Sequence, residues 1–140
     1  MIQEEKELLL KDLCARLPYH PRVKVWLKEG VTEEGALDLE HNYGDVLRDA
    51  FYYNEIVKIK PYLLPLSSMT KEQLFEVQEI LGKNEIKIDD GFLRIVDSDR
   101  NVITYLEILA VLEWFYKNHF DINDLIPKDL AIDATGLNVY

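Results

Sequence analysis

Arg22-Val23-Lys24-Val25-Trp26-Leu27-Lys28 decides how the chain is read, because it alternates without a break. Val23, Val25 and Leu27 point one way; Lys24, Trp26 and Lys28 point the other. Period two is the pattern of a strand with one face in the core and one in water. Ala36–His41 alternates as well, with Leu37 and Leu39 inward, and Asn42-Tyr43-Gly44-Asp45 after it reads as a turn. Residues 46–53 favour no element. Glu55–Lys60 is a third alternating run, with Val57 and Ile59 opposite Lys58 and Lys60. Pro61 and Pro65 are expected to break its pairing.

Upstream, residues 3–17 carry Leu9, Leu13 and Leu17 at spacing four, with Leu10 and Cys14 beside them. That is one apolar helical stripe, stopped by Pro18. Downstream, Thr70 with Gln73 three residues on makes a capping box. It opens a helix whose apolar face is Leu74, Val77 and Leu81 and which Gly82 ends. Asp89-Asp90-Gly91 between Glu85–Ile88 and Phe92–Val96 is a hairpin signal. From Asn101 to about His119 the pattern is helical and apolar nearly all round, which places that helix at the centre of the core. Asp121 is a candidate cap for a short turn before Pro127, and the tail beyond is expected to be loosely ordered.

Strands and helices do not alternate strictly, so the expected class is α+β rather than a parallel doubly wound sheet. The expected architecture is a small antiparallel sheet or SH3-like half-barrel plus a hairpin. It packs on about three helices, the long C-terminal one central. The 140 residues suit a single domain, 1–140.

Composition narrows function further. The chain is 48% apolar and 30% charged, which is a globular balance. Its net charge of −10 argues against duplex DNA, whose phosphates need a concentrated positive field. Residues 1–70 carry 9 basic and 12 acidic side chains and residues 71–140 carry 7 and 14, so the halves stand at −3 and −7. Met-Ile-Gln-Glu-Glu-Lys-Glu lacks the basic start and apolar run of a signal peptide, and no apolar stretch is long enough for a bilayer. A cytoplasmic protein without membrane contact is expected.

Chemical motifs are weak throughout. Asp97-Ser98-Asp99-Arg100-Asn101 copies the opening of a calcium loop, but Val102 stands where glycine is needed and Ile108 where the closing glutamate belongs. That acidic loop reads better as a helix cap. His20, His41 and His119 have no metal-site spacing, and Cys14 is the only cysteine. Cys14 is expected in the core and Ser67 and Ser68 at a cap. No catalytic constellation, metal site or cofactor is expected.

The outward faces of the strands are more informative. Lys24, Trp26 and Lys28 share one, and Lys58 and Lys60, with Tyr62 two residues on, share another. Side by side they form a basic strip around an aromatic ring, suited to single-stranded nucleic acid or a nucleotide. The competing expectation covers Trp26 with the first helix and neutralises the lysines with Asp38 and Glu40.

Three segments also form a pattern: Lys11-Asp12-Leu13-Cys14-Ala15-Arg16-Leu17-Pro18-Tyr19, then Lys60-Pro61-Tyr62-Leu63-Leu64-Pro65-Leu66-Ser67-Ser68-Met69-Thr70, then Trp114 through His119-Phe120-Asp121 to Leu125-Ile126 and Leu130-Ala131. It resembles a group of small proteins from phages, prophages and mobile elements of gut Bacteroidetes. After Tyr19 that pattern commonly carries glycine, where His20-Pro21 stands here. The resemblance implies a mobile-element origin and supplies no activity. The leading expectation is therefore a non-enzymatic interaction module for a protein partner or small regulatory ligand. The alternative is the nucleic-acid or nucleotide binder, and a small metal-dependent hydrolase comes last.

Overall fold

The computed structural model describes residues 2–37, 56–82, 85–89, 92–96 and 105–140. Helix α1 (Gln3–Arg16) leads through a 3-10 turn, Leu17–Tyr19, into strands β1 (Arg22–Leu27), β2 (Thr32–Ala36) and β3 (Ile56–Leu63). Then come α2 (Lys71–Leu81), the hairpin β4 (Glu85–Asp89) and β5 (Phe92–Val96), α3 (Tyr105–Lys117) and the short β6 (Ile132–Asp133). The class is α+β. The main sheet runs β2-β1-β3-β6, and β4-β5 pair separately. Pairing is antiparallel except for β6, which runs parallel to β3.

The alternation in β1 sorts the sheet into two faces. Val23 and Val25 are buried and join Leu9 and Leu13 of α1, Ile59 and Leu63 of β3, and Leu125 and Leu130 in one core. A second core gathers Leu66, Val77 and Leu81 around Val111, Phe115 and Phe120. In it Trp114 stacks on Phe120 at 5.8 Å between ring centroids, and Phe115 meets both rings edge-on.

Local signals hold where they are chemically complete. The Thr70 Oγ1 accepts from Gln73 N–H at 3.2 Å, and the Gln73 carboxamide oxygen accepts from Thr70 N–H at 2.9 Å. Gly82 closes that helix at φ +63°. Asp121 accepts from the N–H groups of Leu125 and Ile126 at 2.9 and 2.8 Å, so its carboxylate ties down the turn before Asp129 from four and five residues back.

Several expectations are corrected. A strand that the alternation did not mark runs over Thr32–Ala36; of the expected run Ala36–His41, Leu37 is buried as expected and residues 38–41 lie outside the described residues. β2 is polar, so its pairing comes from the edge of β1 and from a tight turn. There Gly30, at φ +78°, donates to the Leu27 carbonyl at 3.0 Å. The expected calcium-like loop at 97–101, the Asn42–Asp45 turn, and Asp38, Leu39, Glu40 and His41 also fall outside the described residues. Pro61 does not end β3. Leu63 turns its carbonyl to the β6 side, accepting from Ala134 N–H at 2.8 Å. By alternation Pro61 aims its missing N–H to that edge, ahead of the first β6 pair at Tyr62↔Ile132. The ladder with β1 loses nothing.

Helix α3 is not apolar-buried all round: Leu106 is 76% exposed, and Ile108 and Leu109 are also exposed. Val111 and Phe115 are buried in the second core and Trp114 packs against it, because that core lies on one side of the helix. Cys14 is exposed as well. The buried stripe of α1 is Leu9, Asp12, Leu13 and Arg16, and position 14 sits about 100° beyond its edge. The tail is tied down: β6 joins the sheet, and the Tyr140 hydroxyl donates to the Tyr62 carbonyl at 2.8 Å while accepting from Arg22 N–H at 3.0 Å.

Asp12 and Arg16 form a buried ion pair, Nε to Oδ2 at 2.7 Å and Nη2 to Oδ1 at 3.0 Å. Arg16 also donates to the Phe120 carbonyl at 2.7 Å and lies over the Tyr116 ring, and Asn123 donates to Asp12 at 2.8 Å. The network bolts α1 to the segment after α3. Beside it His119 stacks on Tyr140 with centroids 3.5 Å apart. Burial, and then the Arg16 charge, push the His119 imidazole down to about 4.

That shift has a sign. The unfolded chain takes up the proton near pH 6.5 and the folded one near 4, so this contribution to stability is complete above 6.5 and is lost as pH falls to 4. The ring is only partly buried, so solvent screening reduces the effect to about 1–2 kcal/mol. Urea midpoints of the native chain are expected to fall between pH 6.5 and 4, with the fall reduced in His119→Phe. Equal pH profiles for the two would contradict the assignment.

Among the described residues no helix is long and apolar enough to cross a membrane.

Candidate functional site on the outer face of the sheet

The face of the sheet away from α1 carries Lys24 and Trp26 of β1 and Lys58, Lys60 and Tyr62 of β3. Trp26 is therefore not covered by the first helix. The antiparallel register sets the side chains in two rows: Glu34, Lys24 and Lys60 across β2, β1 and β3, then Thr32, Trp26 and Lys58. Trp26 is half-buried, with Lys58 Nζ 4.9 Å from its ring centroid and Lys24 Nζ 5.5 Å. Both distances are within cation–π range. Lys28 does not join them. β1 ends at Leu27, where the register with β3 slips from Trp26↔Lys58 to Leu27↔Ile56, and Lys28 lies in the exposed turn beyond.

The charges on the face are unevenly matched. Lys24 pairs with Glu34 at 3.4 Å. The Tyr62 hydroxyl donates to the same carboxylate at 2.7 Å, which holds Glu34 below its ordinary range, Lys24 adding to the effect. The Tyr62 phenol is in turn pushed up to about 12 by burial and by that carboxylate. Tyr62 thus positions Glu34 and is itself largely hidden. Glu34 is the acid seen beside Lys24; Asp38 and Glu40, expected as the neutralising acids, lie outside the described residues.

Lys60 is buried at 7% exposure and pairs with Asp129. Lys58 has no carboxylate partner among the described residues. Its ammonium is held below the ordinary lysine range, first by burial and then by Lys60 beside it, with Asp129 pulling the other way. At this end the face opens into a groove of about 370 Å³ between residues 57–60 of β3 and residues 128–130, with Glu5 of α1 at its mouth.

This arrangement offers an aromatic surface, one ammonium without a carboxylate partner among the described residues, and two ammoniums whose counter-ions come from flanking elements. Chemically, such a surface suits an anion with a planar group. The sequence located Trp26 and four of its basic or phenolic neighbours. It missed Glu34 and Asp129, whose only signal was an acid near a strand or loop end. Among the described residues no three or more of His, Cys, Asp and Glu cluster to hold a metal ion. No family model, no curated protein and no solved structure matches this chain.

Proposed function

We propose that the protein is a non-enzymatic binding module whose outer sheet face takes a single-stranded nucleic acid. The observation that carries this reading is Trp26, set on the outer face of the sheet with Lys24 and Lys58 over its ring. A base stacks on an indole whatever its identity, and flanking ammoniums meet the phosphates. The chain's net charge of −10 keeps such binding weak and confines it to this strip. Duplex DNA is disfavoured, because its bases are not free to stack on Trp26.

Anisotropy of a labelled single strand of about ten nucleotides tests the reading. Two or three phosphate contacts give about a tenfold loss of affinity between 50 and 200 mM salt, from a slope of about −0.7 per contact. Binding that ignores salt, or that prefers the duplex, would overturn it.

A protein partner is the second reading. Its support is apolar exposure elsewhere: Phe75 on α2 is 63% exposed, and Leu106 and Leu109 on α3 are exposed too. A mobile-element origin fits either. His20 takes φ +54°, ψ +58°, a left-handed conformation natural to glycine, at the position where the resembled pattern carries glycine.

A further inference from the structure

We infer that the groove between β3 and residues 128–130 is a phosphate-binding subsite, closed in the free protein by Asp129, whose carboxylate an incoming phosphate displaces. The inference rests on the sheet-face reading in one respect: it seats a phosphate of the strand whose base stacks on Trp26. The ligand chemistry, a phosphate oxyanion, is shared by free phosphate and a nucleic-acid backbone.

A buried ammonium needs an anion beside it at all times, because desolvating an unpaired charge is expensive. Lys60 is such a group, with 8% of its side chain exposed. Its counter-ion does not come from the sheet. Asp129 reaches in from a loop, its own side chain 87% exposed and its backbone at φ +58°. Left-handed backbone is costly for a side-chain-bearing residue, though aspartate tolerates it better than most. The carboxylate is thus held over Lys60 by a residue that leaves the groove without disturbing any core contact.

The groove also holds more positive charge than Asp129 can serve. Lys58 stands beside Lys60 with no carboxylate of its own among the described residues. Both lysines act on Asp129, whose carboxyl is lowered mainly by Lys60 and further by Lys58. Lys128 lines the opposite wall, tethered at 2.9 Å by Asp124. Glu5, the other acid present, is engaged with the Ile2 N–H at 3.2 Å. A phosphate presents several oxygens where a carboxylate presents two, so it can serve Lys58 and Lys60 together.

The backbone adds a donor. Leu63 directs its carbonyl to the β6 edge, so Ile59, four residues back on the same alternation, directs its N–H to that edge. There β6 does not reach, since its pairing starts at Tyr62. Pro61, between them, has no N–H and discourages a further strand from adding along the edge. The edge is therefore better suited to a compact anion than to an extended peptide. Finally, Lys58 Nζ lies 4.9 Å from the Trp26 ring, so one nucleotide reaches from a base on the indole to a phosphate at Lys58.

The test is an amide NMR titration of the full chain with inorganic phosphate and, separately, with a single-stranded oligothymidylate. Native protein, Asp129→Asn, Asp129→Gly and Trp26→Ala are compared. Glycine suits the left-handed backbone, so it removes the carboxylate even if asparagine perturbs the loop. Both Asp129 variants are expected to bind inorganic phosphate about tenfold more tightly than the native chain, with shifts at residues 57–60 and 128–130. Trp26→Ala is expected to weaken the oligothymidylate, while inorganic phosphate still shifts the amides of residues 57–60 and 128–130. If phosphate moves none of these amides in any variant, or if removing Asp129 weakens it, the subsite is overturned. The sheet-face reading then stands or falls separately on whether the oligothymidylate still binds and still depends on Trp26.

Discussion

Asp12→Ala is expected to lower the stability of the fold by about 3–5 kcal/mol, read from the urea midpoint at pH 7. The mechanism is an orphaned charge. Arg16 is fully buried and gives its Nε and Nη2 to Asp12. Without that carboxylate the guanidinium keeps one partner, the Phe120 carbonyl. Asn123 loses its shorter hydrogen bond as well and keeps the one to the Tyr116 hydroxyl at 3.5 Å. Domains of this size hold about 5–15 kcal/mol in total, so the variant sits near the edge of folding. Replacing both members, as in Asp12→Leu with Arg16→Met, is expected to recover most of the loss, because no charge is left unpaired. A loss below about 1 kcal/mol for Asp12→Ala would show that the pair is wetter than the structure has it.

Trp26→Ala is expected to weaken binding of a single strand by about 1–3 kcal/mol, or roughly five- to 150-fold. In the proposed mode the indole is the stacking surface. Trp26→Phe is expected to keep much of the affinity, since a phenyl ring still stacks. The lysines are expected to rank by how well they are neutralised. Lys24 already answers Glu34, whereas Lys58 answers no carboxylate among the described residues, so Lys58→Met costs more than Lys24→Met. It should also flatten the salt dependence by about one phosphate contact. Equal affinities for native and Trp26→Ala protein would remove the face from consideration.

How much of this was legible in the sequence depends on how local each signal is. The capping box at Thr70, the pairing of Glu85–Asp89 with Phe92–Val96, and the inward Val23 and Val25 are complete within a few residues, and each appears where expected. β2 carries no alternation of its own, because Thr32–Ala36 is placed by its partner strand and by Gly30. β6 is two residues long and exists only because β3 offers it an edge. The Asp12–Arg16 pair looks from sequence like an exposed helical ion pair. Its spacing with Leu9 and Leu13, at i, i+3, i+4 and i+7, was the available sign that it lies on the buried stripe. In the candidate site, alternation alone put Lys24 and Trp26 on one face and Lys58 and Lys60 on another. That these faces are one surface depends on the β1–β3 register, and the Asp129 closure joins residues 69 apart in the chain. Neither is written locally.

The central claim is that the outer sheet face binds a single strand through Trp26, and the two tryptophans provide an internal control for it. In a 15N-labelled sample titrated with oligothymidylate, each indole gives its own N–H signal. Trp114 Nε1 donates to Glu76 at 3.1 Å and its ring packs against the second core, away from the strip. The expected result is a saturable shift of the Trp26 indole that is lost at high salt, with the Trp114 signal unmoved. A stationary Trp26 signal, or a shift confined to Trp114, would contradict the account.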